Sequence, residues 1–440
     1  MTRLKIQYRE TESLRPYKRN ARTHSKKQIR QIAESIKKFG FTNPVLITRD
    51  GEIIGGHGRV ESAKLLGMEK VPTIVLEDLT PDERRAYILA NNKLALNAGW
   101  DSELLAIELG ELSELGLTDF TGFSTTEIDI TLDGGRDSDP TREDPAPEDA
   151  LIPLGEHPVS GRGDLWQMGR HVLICGDARE QADYDAVTFG ETIDCIFTDP
   201  PYNCPINGHV CGLGKTKHRE FAMASGEMNG EEFTAFLAST LGLAALRCKD
   251  GAIAFVCMDW RGMEALLAAG RSAFTEHKQL CIYNKTNGGM GTFYRSKHEL
   301  VFVYKIGTAP HTNNFGLGDT GRYRTNVWDY PGVSSLGSSR EDHARHPTPK
   351  PVALVADALR DCTRRGELVL DCFAGSGTTL IAAEICGRSA RLIEFDPLYC
   401  DAIVRRFEQF TGQKSLLMQS RQTFEEVSEA RLAEMQRDAL

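Results

Sequence analysis

From His171 to Thr411 short apolar runs alternate with segments of helical period, and this alternation constrains the fold more than any other feature of the chain. Strands are predicted at His171–Cys175, Ile193–Thr198, Ala252–Cys257, Gln279–Tyr283, Leu300–Tyr304, Leu368–Cys372 and Ala390–Phe395. Helices are predicted at Gly230–Leu246, Gly262–Ala273, Val352–Cys362, Thr379–Cys386 and Tyr399–Thr411. Apolar strands without a polar face need helices on both sides of their sheet. An α/β fold follows, with a mixed but mainly parallel sheet of seven strands.

A chain of 440 residues is too long for one ordinary domain. Residues 133–163 are dominated by Gly, Pro and acidic residues without periodicity, and read as an extended linker. It divides a front part, 1–132, from a main domain, 164–418, which a charged, helix-prone tail follows at 419–440. In the front part Ile29, Ile32 and Ile36 mark a helix over Lys26–Phe39, capped by Ser25 and ended by Gly40. Short strands at Pro44–Thr48, Glu52–Ile54 and Val71–Leu76, with helices at Val60–Leu66, Pro81–Leu96 and Ser102–Leu112, make a small α+β module. No helix-turn-helix is legible after it.

The net charge of −10 argues against a general nucleic-acid binder, but the charge is uneven. Residues 1–50 hold 13 Lys/Arg against 4 Asp/Glu, and residues 101–160 hold 2 against 16. A basic surface at the front and an acidic spacer are expected. No apolar run approaches the roughly 18 residues of a membrane span, and the first residues lack an apolar signal core, so a cytoplasmic location without a membrane partner is expected. The eleven cysteines include no CxxC pair; Cys195, Cys257 and Cys372 lie in apolar runs and read as reduced, buried thiols. Cys204, His209 and Cys211 cluster but lack a fourth ligand, so no metal is expected.

Two segments carry chemistry. In Leu368-Val-Leu-Asp371-Cys-Phe373-Ala-Gly375-Ser376-Gly377-Thr378-Thr379 an apolar strand runs through glycines into a helix. The glycines let backbone approach a ligand, and the helix start presents free amides to an anion. Glu394, 17 residues beyond Gly377, ends the next strand, where an acid can hold two ribose hydroxyls. A nucleoside site is predicted. In Ile193-Asp-Cys-Ile-Phe-Thr-Asp199-Pro200-Pro201-Tyr202 a buried strand ends in an acid, two prolines and an aromatic ring. The prolines stiffen the backbone and donate nothing. The Asp199 carboxylate and the Pro200 carbonyl remain as acceptors beside a stacking face, which suits a planar base bearing an amino group.

Together these segments resemble the S-adenosylmethionine-dependent amino-methyltransferases of DNA. Asp-Pro-Pro-Tyr comes first and Phe-x-Gly-x-Gly about 170 residues later, an order similar to that of the beta class. Leu173-Ile-Cys-Gly176-Asp177, Ser296-Lys-His-Glu299 and His346-Pro-Thr-Pro-Lys350-Pro351 agree with it. The resemblance covers roughly 164–412 and implies a Rossmann-like methyltransferase fold with target recognition near 203–345. It also implies that Asp371, Phe373, Gly375 and Gly377 line the cofactor, that Ser376, Thr378 and Thr379 approach its methionine carboxylate, and that Glu394 holds the ribose. Asp177 would reach the adenine edge, and Lys350 lies in the segment closing the methionine end. Asp199, Pro200, Pro201 and Tyr202 would hold an extruded target base while its amine attacks the sulfonium methyl. Aspartate at the first position is usual for adenine N6 and serine for cytosine N4, so adenine is expected and cytosine stays open. Lys215, Lys217, His218, Arg219, Lys285, Arg295, Arg322 and Arg324, interleaved with Tyr294, Tyr323 and Trp328, suit phosphate contacts and wedges into stacked bases.

Leu14-Arg-Pro-Tyr-Lys-Arg-Asn20, Asn43-Pro-Val-Leu-Ile47 and Gly51-Glu-Ile-Ile-Gly55-Gly56-His57-Gly58-Arg59 resemble the ParB N-terminal fold shared with sulfiredoxin. The resemblance implies a nucleoside triphosphate on Gly55, Gly56, His57, Gly58 and Arg59; the sulfiredoxin cysteine is absent. Fusions of this kind are typical of phage and prophage DNA modification. The expected partners are double-stranded DNA and that nucleotide, with a homodimer left open. A DNA-binding switch with an inactive methylase half, and methylation of RNA or a protein glutamine, are the competing readings.

Overall fold

The computed structural model describes residues 4–132, 147–203, 226–285, 293–315, 323–331 and 349–438. Two compact units divide the chain, Met1–Ser124 and Thr125–Leu440.

The first unit contains β1 (Ile6–Glu10), α1 (Lys26–Phe39), β2 (Val45–Ile47), β3 (Ile53–Gly55), α2 (His57–Leu65), β4 (Lys70–Val75), α3 (Pro81–Leu96) and α4 (Ser102–Glu114). Its sheet has the order β1-β4-β2-β3. The Ser25 hydroxyl accepts from the Gln28 N–H to start α1, and Gly40 ends it at φ +82°. Thr80 and Glu83 cap α3 reciprocally, with Pro81 in its first turn. Val45, Ile47, Ile53, Val60 and Val71 form the core. Strand β1 is not among the predicted strands although Ile6 and Tyr8 alternate with Gln7 and Arg9; all five of its residues are exposed, so it adds to the sheet edge without a buried face.

The second unit continues with α5 (Thr125–Leu132), β5 (Leu165–Met168), β6 (His171–Cys175), α6 (Gln181–Thr188), β7 (Ile193–Thr198), α7 (Gly230–Ala245), β8 (Cys248–Met258), α8 (Met263–Ala273), β9 (Glu276–Lys285) and β10 (His298–Lys305). Then come β11 (Val327–Tyr330), α9 (Val352–Cys362), β12 (Leu368–Asp371), α10 (Thr378–Ile385), β13 (Ser389–Glu394), α11 (Pro397–Thr411), β14 (Leu416–Leu417) and α12 (Phe424–Asp438). One sheet runs β11-β9-β10-β8-β7-β12-β13-β6-β5-β14. It has ten strands, not the expected seven; β5, β11 and β14 are short flanking strands without a long apolar run. The strands from β8 to β6 are parallel, while β10 runs antiparallel to both β8 and β9. Leu173, Cys195, Val369 and Leu392 pack on one face with Leu359, Ile381 and Ile403. Ile174, Ile196, Leu370 and Ile393 pack on the other with Leu237 and Leu266. The predicted double covering is present.

The unit begins before the boundary expected at 132. Asp129 on α5 is buried against Arg388 at 2.9 Å and Arg365 at 3.1 Å, and the Thr126 hydroxyl donates to the Asn314 carbonyl. The later part of the expected linker is also packed: the N–H groups of Val159 and Ser160 donate to Asp401. The tail docks through Phe424 against Trp166 and through Arg431 on Asp164. Cys195, Cys257 and Cys372 are buried and unpaired by disulfide. Cys204, His209 and Cys211 lie outside the described residues. No helix among the described residues is long and apolar enough to cross a membrane.

Candidate active site

Insertion of β12 and β13 between β7 and β6 brings two distant strand tips together at the carboxyl edge of the parallel strands. Cys195 pairs with Val369 and Ile196 with Leu370, so the ends of β7 and β12 lie side by side. Ligands of open α/β sheets bind outside such carboxyl ends, where strand order reverses.

At the β12 tip, Asp371 accepts from the Thr198 hydroxyl at 2.9 Å, the Thr379 hydroxyl at 2.6 Å and the Phe373 N–H at 3.1 Å. Burial nevertheless pushes its carboxyl up to about 6. Gly375 and Gly377 take φ of +53° and +78°, a region that favours glycine, and Gly377 starts α10. The Gly375 and Asp396 N–H groups each donate to Glu394 at 2.8 Å. Burial pushes Glu394 up to about 7. The Ser376 and Thr378 hydroxyls lie 3.2 Å apart, and the Ser376 carbonyl accepts from Arg406. Thr379 faces Asp371, so its hydroxyl is engaged in the strand tip. Just after β6 the Gly176 N–H donates to the Glu394 carbonyl, which sets Asp177 beside β13. Burial pushes the Asp177 carboxyl up, but the Arg179 guanidinium at 2.7 Å outweighs it and holds it low.

At the β7 tip, Asp199 is gripped at both oxygens. The Tyr202 hydroxyl donates to Oδ1 at 2.7 Å, and the Lys350 ammonium reaches Oδ2 at 2.5 Å. Lys350 Nζ also lies 2.9 Å from Glu299 Oε2, 3.2 Å from the Tyr202 hydroxyl and 5.5 Å from the centre of its ring. Lys285 pairs with the other Glu299 oxygen. Burial pushes Glu299 up, but Lys350 and Lys285 outweigh it and hold it down at about 2. Asn203 follows at φ +53° and accepts from the Gly226 N–H, which fixes the tip. A cleft of about 690 Å³ opens beside Tyr202, lined by Asn203, Asn229, Phe233, Arg261 and Glu264 among others. Pro200 and Pro201 carry no N–H, so no donor of theirs competes for the Asp199 carboxylate.

Lys350, expected at the methionine end of the cofactor, thus has its ammonium on Asp199. Nothing in the sequence links Ser296-Lys-His-Glu299 to Asp199 or Lys350; an acid opening an apolar strand is the one local signal that marks Glu299. Lys285 is committed to Glu299. Arg324 pairs with Asp361 at 3.0 Å, and Trp328 is 5% exposed, so this pair belongs to the core and not to a wedge. Tyr294 and Tyr323 are exposed. Lys215, Lys217, His218, Arg219, Arg322 and His346 lie outside the described residues.

In the first unit, Gly55, Gly56, His57, Gly58 and Arg59 line a cleft of about 430 Å³ with Arg22, His24, Asn91 and Asn92. Gly56 caps α2 at φ +102°, and a Cβ there would meet the Arg59 guanidinium at 2.9 Å. Burial lowers the pKa of both His57 and Arg59. The buried Arg59 Nε has no hydrogen-bond partner among the described residues.

Comparison with known families matches three segments. The ParB N-terminal domain spans 3–92, the ParB-methyltransferase HTH domain 103–162 and the DNA methylase domain 193–405. The second match overturns the expectation that no helix-turn-helix domain follows the front module; it also spans most of the expected linker. "ParB-like nuclease domain-containing protein YnaK" of Escherichia coli is 57% identical over 83 residues, 19% of this chain and 95% of that protein. "DNA adenine methyltransferase YhdJ" of Escherichia coli is 32% identical over 118 residues, 26% of this chain and 39% of that protein. The chain therefore spans well under half the length of YhdJ. The structure titled "PvuII DNA methyltransferase (cytosine-N4-specific)" aligns at a TM-score of 0.42 with 15% identity, covering 63% of this chain and 94% of that one.

Proposed function

We propose, on the premise that this chain belongs to the DNA methylases fused to a ParB N-terminal domain, that it transfers a methyl group from S-adenosylmethionine to adenine N6 in double-stranded DNA. The observation that carries the reading is the meeting of the two strand tips, joined by Thr198 and Asp371.

The residues present fit the cofactor. Glu394 is a buried carboxylate poised near neutrality, and a pair of ribose hydroxyls is the donor set that would satisfy it. The left-handed glycines and the start of α10 suit the methionine carboxylate. S-adenosylmethionine supplies an electrophilic methyl on its sulfonium sulfur. The chain's own residues do the rest. The Asp199 carboxylate and the Pro200 carbonyl accept the two hydrogens of the target amine and turn its lone pair toward the methyl. As the nitrogen gains charge, the carboxylate stabilises it, and Asp199 then takes the proton. The Tyr202 face stacks on the extruded base, which offsets about 1–3 kcal/mol of the unstacking cost. Asp199 at the first position of the tetrapeptide favours adenine over cytosine.

The buried, unpartnered Arg59 Nε beside the glycines of the first unit supports a nucleoside triphosphate there. The decisive experiment incubates the full chain with methyl-labelled S-adenosylmethionine and double-stranded DNA, then identifies the labelled nucleoside. N6-methyl-2′-deoxyadenosine is expected. Label in N4-methylcytosine overturns the base assignment, and label in neither overturns the function.

A further inference from the structure

An alternating series of four charges ends at Asp199, and the methyl-transfer chemistry leaves the other three unused. Lys285 comes from the end of β9, Glu299 from the start of β10, Lys350 from the segment before α9 and Asp199 from the β7 tip. The Lys350 side chain is 5% exposed and that of Glu299 10%, so neither ion pair is a surface accident. Burying such charges is costly unless each is paired and held in good geometry. Lys350 touches Asp199, Tyr202 and Glu299 together, while Glu299 is anchored from its far side by Lys285.

We propose that Lys350 and Glu299 are a positioning pair for Asp199: Glu299 fixes the Lys350 ammonium, which pins one carboxylate oxygen and the Tyr202 hydroxyl so that both present a single geometry to the target amine. This inference rests on the methyl-transfer reading. A carboxylate on a strand tip, 27% exposed, would otherwise swing between rotamers, and misplacement by about 1 Å costs roughly 100-fold in rate. Asp371, Cys257 and Tyr283 are further titratable groups around the site.

Each substitution leaves the buried neighbour on its far side paired, while Asp199 keeps the Tyr202 hydroxyl and Lys285 is partly exposed to solvent. Lys350→Met leaves Glu299 on Lys285, and Glu299→Gln leaves Lys350 on Asp199. In the full chain, Lys350→Met is expected to lower kcat roughly 100-fold with the dissociation constant for S-adenosylmethionine and the KM for DNA within about threefold of wild type. Lys350→Arg is expected to restore most of kcat, and Glu299→Gln to lower kcat by a smaller factor. Thermal melting of each variant checks folding. A kcat unchanged in Lys350→Met overturns the inference. So does a tenfold loss of S-adenosylmethionine affinity, which would put Lys350 in the cofactor site. If wild type transfers no methyl to DNA, the functional reading itself fails, and this inference with it.

Discussion

The Thr198 hydroxyl donates to the Asp371 carboxylate across 2.9 Å, joining residues 173 positions apart and closing the seam between the β7 and β12 tips. One side of that seam carries Asp199 and the other begins the glycine turn. Thr198→Val keeps the shape and deletes the donor. Asp371 then keeps Thr379 and the Phe373 N–H, so the expected loss is about 1–3 kcal/mol of stability together with weaker S-adenosylmethionine binding. Thr198→Ser should retain both. Denaturant unfolding and titration calorimetry on the two variants check this, and equal behaviour of Val and Ser would remove the seam from the argument.

Glu394 gives a pH prediction with a definite sign. Its folded-state value of about 7 lies above the ordinary 4.5, because burial penalises the charge. The folded chain therefore holds this proton more tightly than the unfolded one. Its contribution to stability falls as pH rises from about 4.5 to about 7 and is flat above. Cofactor affinity should run the other way, since only the ionised carboxylate accepts from two hydroxyls. S-adenosylmethionine binding, followed by tryptophan fluorescence, is expected to tighten from pH 6 to 8. Glu394→Gln should bind more weakly with a flat profile; a sloping profile in that variant assigns the titration elsewhere.

How far the sequence could be read follows from the range of each interaction. Helix α1 is legible because its signals are local: three isoleucines at helical spacing, with Ser25 and Gly40 capping its two ends. The central strands were legible because burial on both faces leaves continuous apolar runs. Strands β5 and β14 were not: they add as short antiparallel ribbons whose pairing comes from each other and from β6. Helix α5 has eight residues, and its buried Asp129 makes sense only once Arg388 is in place. The same holds at the site. Asp199, Glu394 and the glycines announce themselves by local pattern, whereas the grip of Lys350 on Asp199, 151 positions away, is a product of strand order. Trp328 reads as a DNA wedge in sequence because aromatic and basic neighbours look alike on a loop and on a buried strand.

Asp199→Ala removes the carboxylate at the β7 tip and leaves the glycine turn and Glu394 untouched. Transfer is expected to fall by roughly 1000-fold or more, the scale of losing a preorganised electrostatic partner. Binding of S-adenosylmethionine should stay within about threefold of wild type, because the positioning groups of its nucleoside end lie on β12 and β13. A single-turnover assay and calorimetry measure the two separately. Substantial turnover in this variant contradicts the role assigned to Asp199.

For the first unit, Arg59→Ala deletes a half-buried guanidinium whose buried Nε has no hydrogen-bond partner among the described residues. Equilibrium dialysis of the full chain with labelled nucleoside triphosphates is expected to show binding in wild type and a loss of about tenfold or more in the variant, the scale of one charge-assisted contact. Methyl transfer to short DNA should be unaffected. No binding by wild type would leave the cleft without a nucleotide role.

The division at 124/125 yields a stability test that an intuitive truncation would get wrong. A cut at the acidic stretch, after residue 132, removes Asp129, the carboxylate that pairs with the fully buried Arg388 and with Arg365. The guanidinium of Arg388 also donates to the Thr363 hydroxyl and to the Thr363 and Cys386 carbonyls, neutral acceptors that do not replace the Asp129 charge. Breaking a buried pair from one side costs about 3–5 kcal/mol, a large share of a domain's stability. A chain beginning at Thr125 should therefore melt as the second unit does in the full protein, and one beginning at residue 133 should melt many degrees lower. Asp129→Ala in the full chain should reproduce the loss without any truncation, and Asp129→Glu should recover part of it. Calorimetric melting of the four proteins decides the matter: equal stability for chains starting at 125 and 133 would show that α5 contributes nothing to the methylase unit.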